Sequence, residues 1–156
     1  MTDTVNTANA QAVRVSRRIR ATPERLFRAW TEPAMLQHWW RMEGPGWKFA
    51  EAELDVRVSG AYRLGMTSPE GSSHVAVGVY REVAPPKRLA FTWDWENPAN
   101  RVGETIVTVD LIDGGDGTTD VVLTHTRFES AERAAGHERG WTQLLRLIEA
   151  YVTEEN

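Results

Sequence analysis

Between Arg18 and Trp40 the chain reads RIRATPERLFRAWTEPAMLQHWW, and no exposed linker would carry so much apolar weight. Thr22 can accept from the open backbone N–H groups of a helix start, and Pro23 at the first helical position has no N–H to leave unpaired. Glu24 falls in the first turn, where a carboxylate meets the positive end of the helix dipole. Leu26, Phe27 and Trp30 recur at helical spacing. Thr31, Glu32 and Pro33 break that helix and start a second, which delivers Leu36, Trp39 and Trp40. The helix pair must therefore cover something hydrophobic.

What it covers is predicted by the remaining periodicities. Val13, Val15, Arg17 and Ile19 alternate as a first strand, and Trp47 to Val58 alternates less cleanly before a bend at Gly60. Tyr62–Thr67 and His74–Val83 flank a turn at PEGSS, and Pro85 and Pro86 then end pairing because proline cannot donate to a ladder. Arg88–Trp95 places Leu89, Phe91, Trp93 and Trp95 on one face. Thr105–Ile112 and Thr118–Arg127 flank DGGDG, a hairpin signal. From Ser130 the period changes, and Trp141, Leu144, Leu145, Ile148 and Val152 form one stripe of a long helix. The order predicts an α+β fold: a curved antiparallel sheet of about six or seven strands wrapped around a long C-terminal helix, with two short helices after the first strand. Such a shape readily leaves a cavity between sheet and helix.

Composition excludes several functions. A net charge of −4 and a pI near 5.6 give no basic face for nucleic acid. Without cysteine there is no disulfide, thiolate nucleophile or Cys-based metal site, which fits a cytoplasmic protein. No run approaches the roughly 20 apolar residues of a membrane span. His38, His74, His125 and His137 are scattered without metal-ligand spacing, so no metal is expected. No serine sits in a nucleophile elbow and no glycine-rich loop follows a strand, so neither a catalytic set nor a cofactor is indicated. The 156 residues predict one domain over 12–152, a disordered polar tail over 1–11 that is no signal peptide, and a short tail over 153–156. Monomer and dimer both stay open.

In order, ATPERLFRAWTEPAMLQHWW, ELDVRVSGAYR, GVYREVAPPKRLAFTWDW, TIVTVDL, GDGTTDVVLTHTRF and GWTQLLRLIEAY resemble the Bet v 1-like/START-like superfamily. More narrowly, they resemble the family related to the C-terminal domain of the activator of Hsp90 ATPase, over roughly Ala12 to Val152. Val58-Ser59-Gly60 departs from the Pro-Gly-Gly or Gly-Gly bend of many relatives. The resemblance implies a helix-grip fold and three functions. The leading expectation is binding of a small hydrophobic or amphipathic molecule in the sheet–helix cavity, for transport, storage or sensing. A cyclase- or hydratase-like enzyme would use the same cavity. An Hsp90-type chaperone partner ranks below ligand binding, because the eukaryotic activator grips Hsp90 with a further N-terminal domain.

Cavity-lining candidates follow from the stripes and strand faces. The aromatic and apolar set is Trp39, Trp40, Phe91, Trp93, Trp95, Trp141, Leu144, Leu145 and Ile148. These rings could equally be core packing. Polar tips that could orient a ligand are Arg57, Tyr62, Tyr80 and His125. Asp55 and Arg57 lie two apart on a strand and can pair, either toward a ligand or at a rim. A lone histidine such as His125 is usually satisfied by hydrogen bonding. The charges from Glu129 to Arg139 read as the solvated face of the last helix.

Overall fold

The computed structural model describes residues 12–154; the N-terminal tail predicted over 1–11 lies outside them. Seven antiparallel strands form one sheet: β1 (Val13–Ile19), β2 (Lys48–Leu54), β3 (Ala61–Thr67), β4 (Ser73–Ala84), β5 (Arg88–Trp95), β6 (Thr105–Asp113) and β7 (Thr119–Thr126). Their order across the sheet is β1-β7-β6-β5-β4-β3-β2. Helices α1 (Pro23–Thr31) and α2 (Pro33–Leu36) follow β1, and α3 (Ala131–Glu154) ends the described chain. Helix α3 runs two residues beyond the predicted boundary at Val152, into what the sequence suggested was a tail. Among the described residues no helix is long and apolar enough to cross a membrane.

Local chemistry explains the helix starts. Thr22 accepts from the Arg25 N–H at 3.2 Å, and Ser130 accepts from the Arg133 N–H at 3.1 Å. Glu32 sits in extended backbone between α1 and α2, and Pro33 then begins the new helix. Leu26, Phe27 and Trp30 are buried, as their spacing requires. The β6–β7 hairpin closes through Gly114 N–H to Thr118 O at 2.8 Å, so its glycines serve a turn.

Strand β2 stops at Leu54, short of the predicted Val58, because the next six residues coil into a bend. Its N–H of Gly60 donates to Arg57 O and that of Ser59 to Tyr80 O. Ser59 adopts φ +71°, and a Cβ at Gly60 would meet the Asp55 carbonyl oxygen at 2.0 Å. The bend therefore keeps the one glycine that close packing demands and places serine where glycine is sterically easier.

Two layers enclose the core. Helix α3 lays Trp141, Leu144, Leu145, Ile148 and Val152 against the inner sheet face, where Val107, Val109, Val121 and Leu123 are all but inaccessible. Helices α1 and α2 fill one end with Leu26, Trp30 and Leu36, and Trp39 and Trp40, expected on the second helix, join them from the turn after α2, which stops at Leu36. Leu145 is 1% exposed. Leu145→Asp should abolish cooperative unfolding in a urea titration, because an unpaired carboxylate in this seam costs most of a typical domain's stability. A variant as stable as the parent would show that α3 does not seal the core.

Candidate functional site

Six tryptophan rings meet where α1, the segment after α2, β5 and α3 converge. Trp30 and Trp39 lie edge to face at 4.9 Å, and Trp39 contacts Trp40 at 5.7 Å. Trp40 then reaches Trp93 and Trp141, each at 6.0 Å, while Trp93 lies 5.0 Å from Trp141 and 5.2 Å from Trp95. Edge-to-face pairing suits the charge distribution of aromatic rings and fixes their relative tilt.

Indole N–H groups in such a cluster need acceptors. Trp39 donates to Ala29 O at 3.0 Å. Trp141 donates to Nδ1 of His125 at 2.9 Å, which leaves the His125 proton on Nε2. That Nε2–H donates to Thr105 Oγ1 at 2.7 Å, and the threonine hydroxyl donates onward to Trp93 O at 2.6 Å. Every donor and acceptor in the relay is used. Burial, and secondarily the neighbouring His137, pushes the His125 imidazolium down to about 2, so the ring is neutral. A second relay runs outside it. Trp95 donates to Nε2 of His137 at 3.0 Å, and His137 Nδ1–H donates to Arg133 O at 2.9 Å. Burial lowers the His137 imidazolium too, against its backbone bond to Arg133 and helped by the charge of Arg133. With both nitrogens of each ring engaged, these histidines hold walls in place and have no nitrogen left over for proton transfer. Among the described residues the indole N–H groups of Trp30, Trp40 and Trp93 lack a partner.

Beside these relays lies a cavity of about 360 Å³, within the range of small-molecule sites. Trp40, Met42 and Trp47 bound it from the segment after α2, Met66 and His74 from β3 and β4, and Trp93 and Trp95 from β5. Helix α3 supplies Arg133, Gly136, His137, Gly140, Trp141 and Leu144. Glycine inside a helix costs about 0.5–1 kcal/mol relative to alanine, and α3 carries two of them one turn apart on its cavity face. A Cβ at Gly140 would meet nothing within 4 Å, and one at Gly136 only the tip of Arg139 at 3.7 Å. The helix gives up side-chain volume there and the space stays open.

Of the residues singled out from sequence, Trp40, Trp93, Trp95, Trp141 and Leu144 line this cavity. Trp39, Leu145 and Ile148 are buried behind it as core, and His125 stands behind Trp141 as its acceptor. Phe91 packs between Tyr62 at 5.3 Å and Tyr80 at 6.1 Å, away from the cavity. The Tyr62 hydroxyl is spent on Thr92 O at 2.6 Å, and burial raises the pKa of both phenols. Arg57 is exposed in the bend after β2, paired with Asp55 at 2.9 Å, and orients nothing in the cavity. Met42, Trp47, Met66, His74, Arg133, Gly136, His137 and Gly140 were not anticipated. A pair of glycines four apart within a helical segment was the one available signal.

The sequence model of the family described as activator of Hsp90 ATPase homolog 1-like protein matches residues 20–153, and the chain belongs to that family. Comparison with curated proteins finds no match. Among solved structures, the chain is similar to the AHSA1 protein of Silicibacter pomeroyi, with 28% identity, 93% of this chain and 99% of that one covered, and a TM-score of 0.79. A protein of Chromobacterium violaceum is also 28% identical over 90% of this chain and 95% of its own, with a TM-score of 0.79. A protein of Nitrosomonas europaea shares the fold at 22% identity, with coverage of 94% and 96% and a TM-score of 0.77.

The neutral relay has a thermodynamic signature. Unfolded His125 takes up a proton near its ordinary pKa of 6.5, whereas the folded ring does so only near 2. Stability from this group is therefore complete above pH 6.5 and falls by about 1.4 kcal/mol per pH unit as pH drops below it. His137, depressed in the same direction, adds to the loss. Urea titrations between about pH 6.5 and 5, above the range where carboxylates protonate, should show this slope, and His125→Gln should make it shallower. An identical slope in the variant would mean that His125 is not held neutral by the fold.

Proposed function

We propose that this protein binds a small hydrophobic or amphipathic molecule in the cavity between the sheet and α3, as a carrier, store or sensor. The observation that carries the proposal is the pair Gly136 and Gly140, which keeps an aromatic-walled space open at the expense of helix stability. A wall made for packing alone would gain from alanine or leucine there. Affinity would come from burying apolar ligand surface, about 2.5 kcal/mol per 100 Å² before the costs of association.

The family's name points to a chaperone ATPase, yet a small molecule accounts better for a concave, aromatic-walled volume. A docking surface is read from a contiguous exposed apolar patch. Among the described residues only three large apolar side chains are exposed, Val58 and Val79 on adjoining segments and Ile112 near the β6–β7 turn, too few for an extended patch.

Titration with the neutral apolar probe N-phenyl-1-naphthylamine should raise the probe's emission and quench the tryptophans. Gly140→Leu, which places a side chain into the open space, should weaken binding at least ten-fold, a loss of about 1.4 kcal/mol or more. Its melting temperature should stay level or rise, since leucine is the better helix former. Unchanged probe affinity in this variant would place any binding elsewhere and remove the proposal's basis.

A further inference from the structure

Helix α3 presents a graded face to the cavity. Leu144 and Trp141 are buried, Gly140, His137 and Gly136 are half-buried, and Arg133, nearer the helix start, is exposed at the rim. Arg133 is the one Lys, Arg, Asp or Glu residue among those lining the cavity. Its Nη1 donates to Asn100 O at 3.3 Å and Arg101 O at 3.1 Å, which ties the guanidinium to the loop after β5. Among the described residues, Nε and Nη2 of Arg133 have no hydrogen-bond partner.

The same edge holds a carboxylate at three other arginines of this protein. Arg18 reaches the two oxygens of Asp120 through Nε at 2.9 Å and Nη2 at 3.4 Å. Arg146 holds Glu43 through Nε at 2.8 Å and Nη2 at 2.7 Å, and Arg63 holds Glu96 through Nε at 3.2 Å and Nη2 at 2.8 Å. The planar fork matches a carboxylate bidentately, which a lysine could not do. In Arg133 the side chain is tethered by its other nitrogen, so the fork is positioned and its carboxylate-binding edge is left over.

We propose that the cavity takes an amphipathic carboxylate, its apolar body over Gly136 and Gly140 and its carboxylate on the Nε/Nη2 edge of Arg133. The inference rests on the binding proposal above and adds the charge of the ligand and which end of it faces solvent. The body supplies most of the affinity. The head group, at an exposed and screened site, supplies a preference rather than an absolute requirement.

The test is a pair of ligands equal in shape and different in charge. The protein is titrated with 1-naphthaleneacetate and with 1-naphthaleneacetamide, reading tryptophan quenching. At about 50 mM salt the carboxylate should bind about three- to five-fold more tightly than the amide, and the ratio should shrink by about 0.5 M salt. In Arg133→Gln the ratio should fall to about one, and Arg133→Lys, which keeps the charge but not the fork, should restore part of it. Melting temperatures confirm that both variants are folded. Equal affinity for the two ligands in the parent protein, or a preference that persists in Arg133→Gln, overturns this inference and leaves the cavity proposal standing. Failure of both ligands and of the neutral probe to bind overturns both.

Discussion

A helix can close a curved sheet only if the polar atoms trapped along the seam are satisfied, and here the Trp141–His125 bond meets that condition. Trp141 brings a large ring to the point where α3, β5 and β7 meet, and its N–H would be costly there without an acceptor. His125 can accept only by keeping its proton on Nε2, and Thr105 can receive that proton's bond only by passing its own to the Trp93 carbonyl. One choice of tautomer thus fixes three side chains and pins α3 to three strands. The neutral state of His125 is a consequence of this closure.

The cavity follows from the same geometry. Trp141 is the last large apolar residue on the inner face of α3 going toward the helix start, and beyond it the helix continues with Gly140, His137 and Gly136. The outer relay, Trp95 to His137 to the Arg133 carbonyl, holds the facing wall at a fixed separation. Aromatic walls on rigid elements and an open gap between them are what pre-organised apolar binding requires. The rim ends in a tethered guanidinium, so polarity rises along a single helix face from buried leucine to exposed arginine.

Much of this was legible in the residues. Thr22-Pro23, the DGGDG hairpin and the stripe from Trp141 to Val152 each carry a local signal strong enough to place an element, and together they give the layered fold. The site was legible only where it coincides with the core. Phe91 and Trp93 lie on the same strand face about 7 Å apart, yet one is covered by two tyrosines and the other by α3. Alternation reports a face, never what covers it. Arg133, Gly136 and His137 fall in a charged stretch that resembles a solvated helix surface, because a cavity is an absence of packing and leaves no apolar period behind. His125 drew notice as a polar residue on an apolar strand, and what it contributes is an acceptor for an indole rather than contact with a ligand.

The sheet order has a consequence for how the chain acquires its structure during synthesis. Strand β1 packs beneath α3, and Arg17 on that strand pairs with Glu149 across 132 residues at 2.6 Å. Among the described strands, β7 is the one sheet neighbour of β1. The earliest described strand therefore leaves the ribosome without a partner and waits for nearly the whole chain, its valines and the tryptophans that follow still open to solvent. Translation at about 5–20 residues per second makes that wait several seconds long. Over that interval the nascent chain displays its most aromatic segment, and holdase chaperones acting on it would meet the protein well before its own helix does.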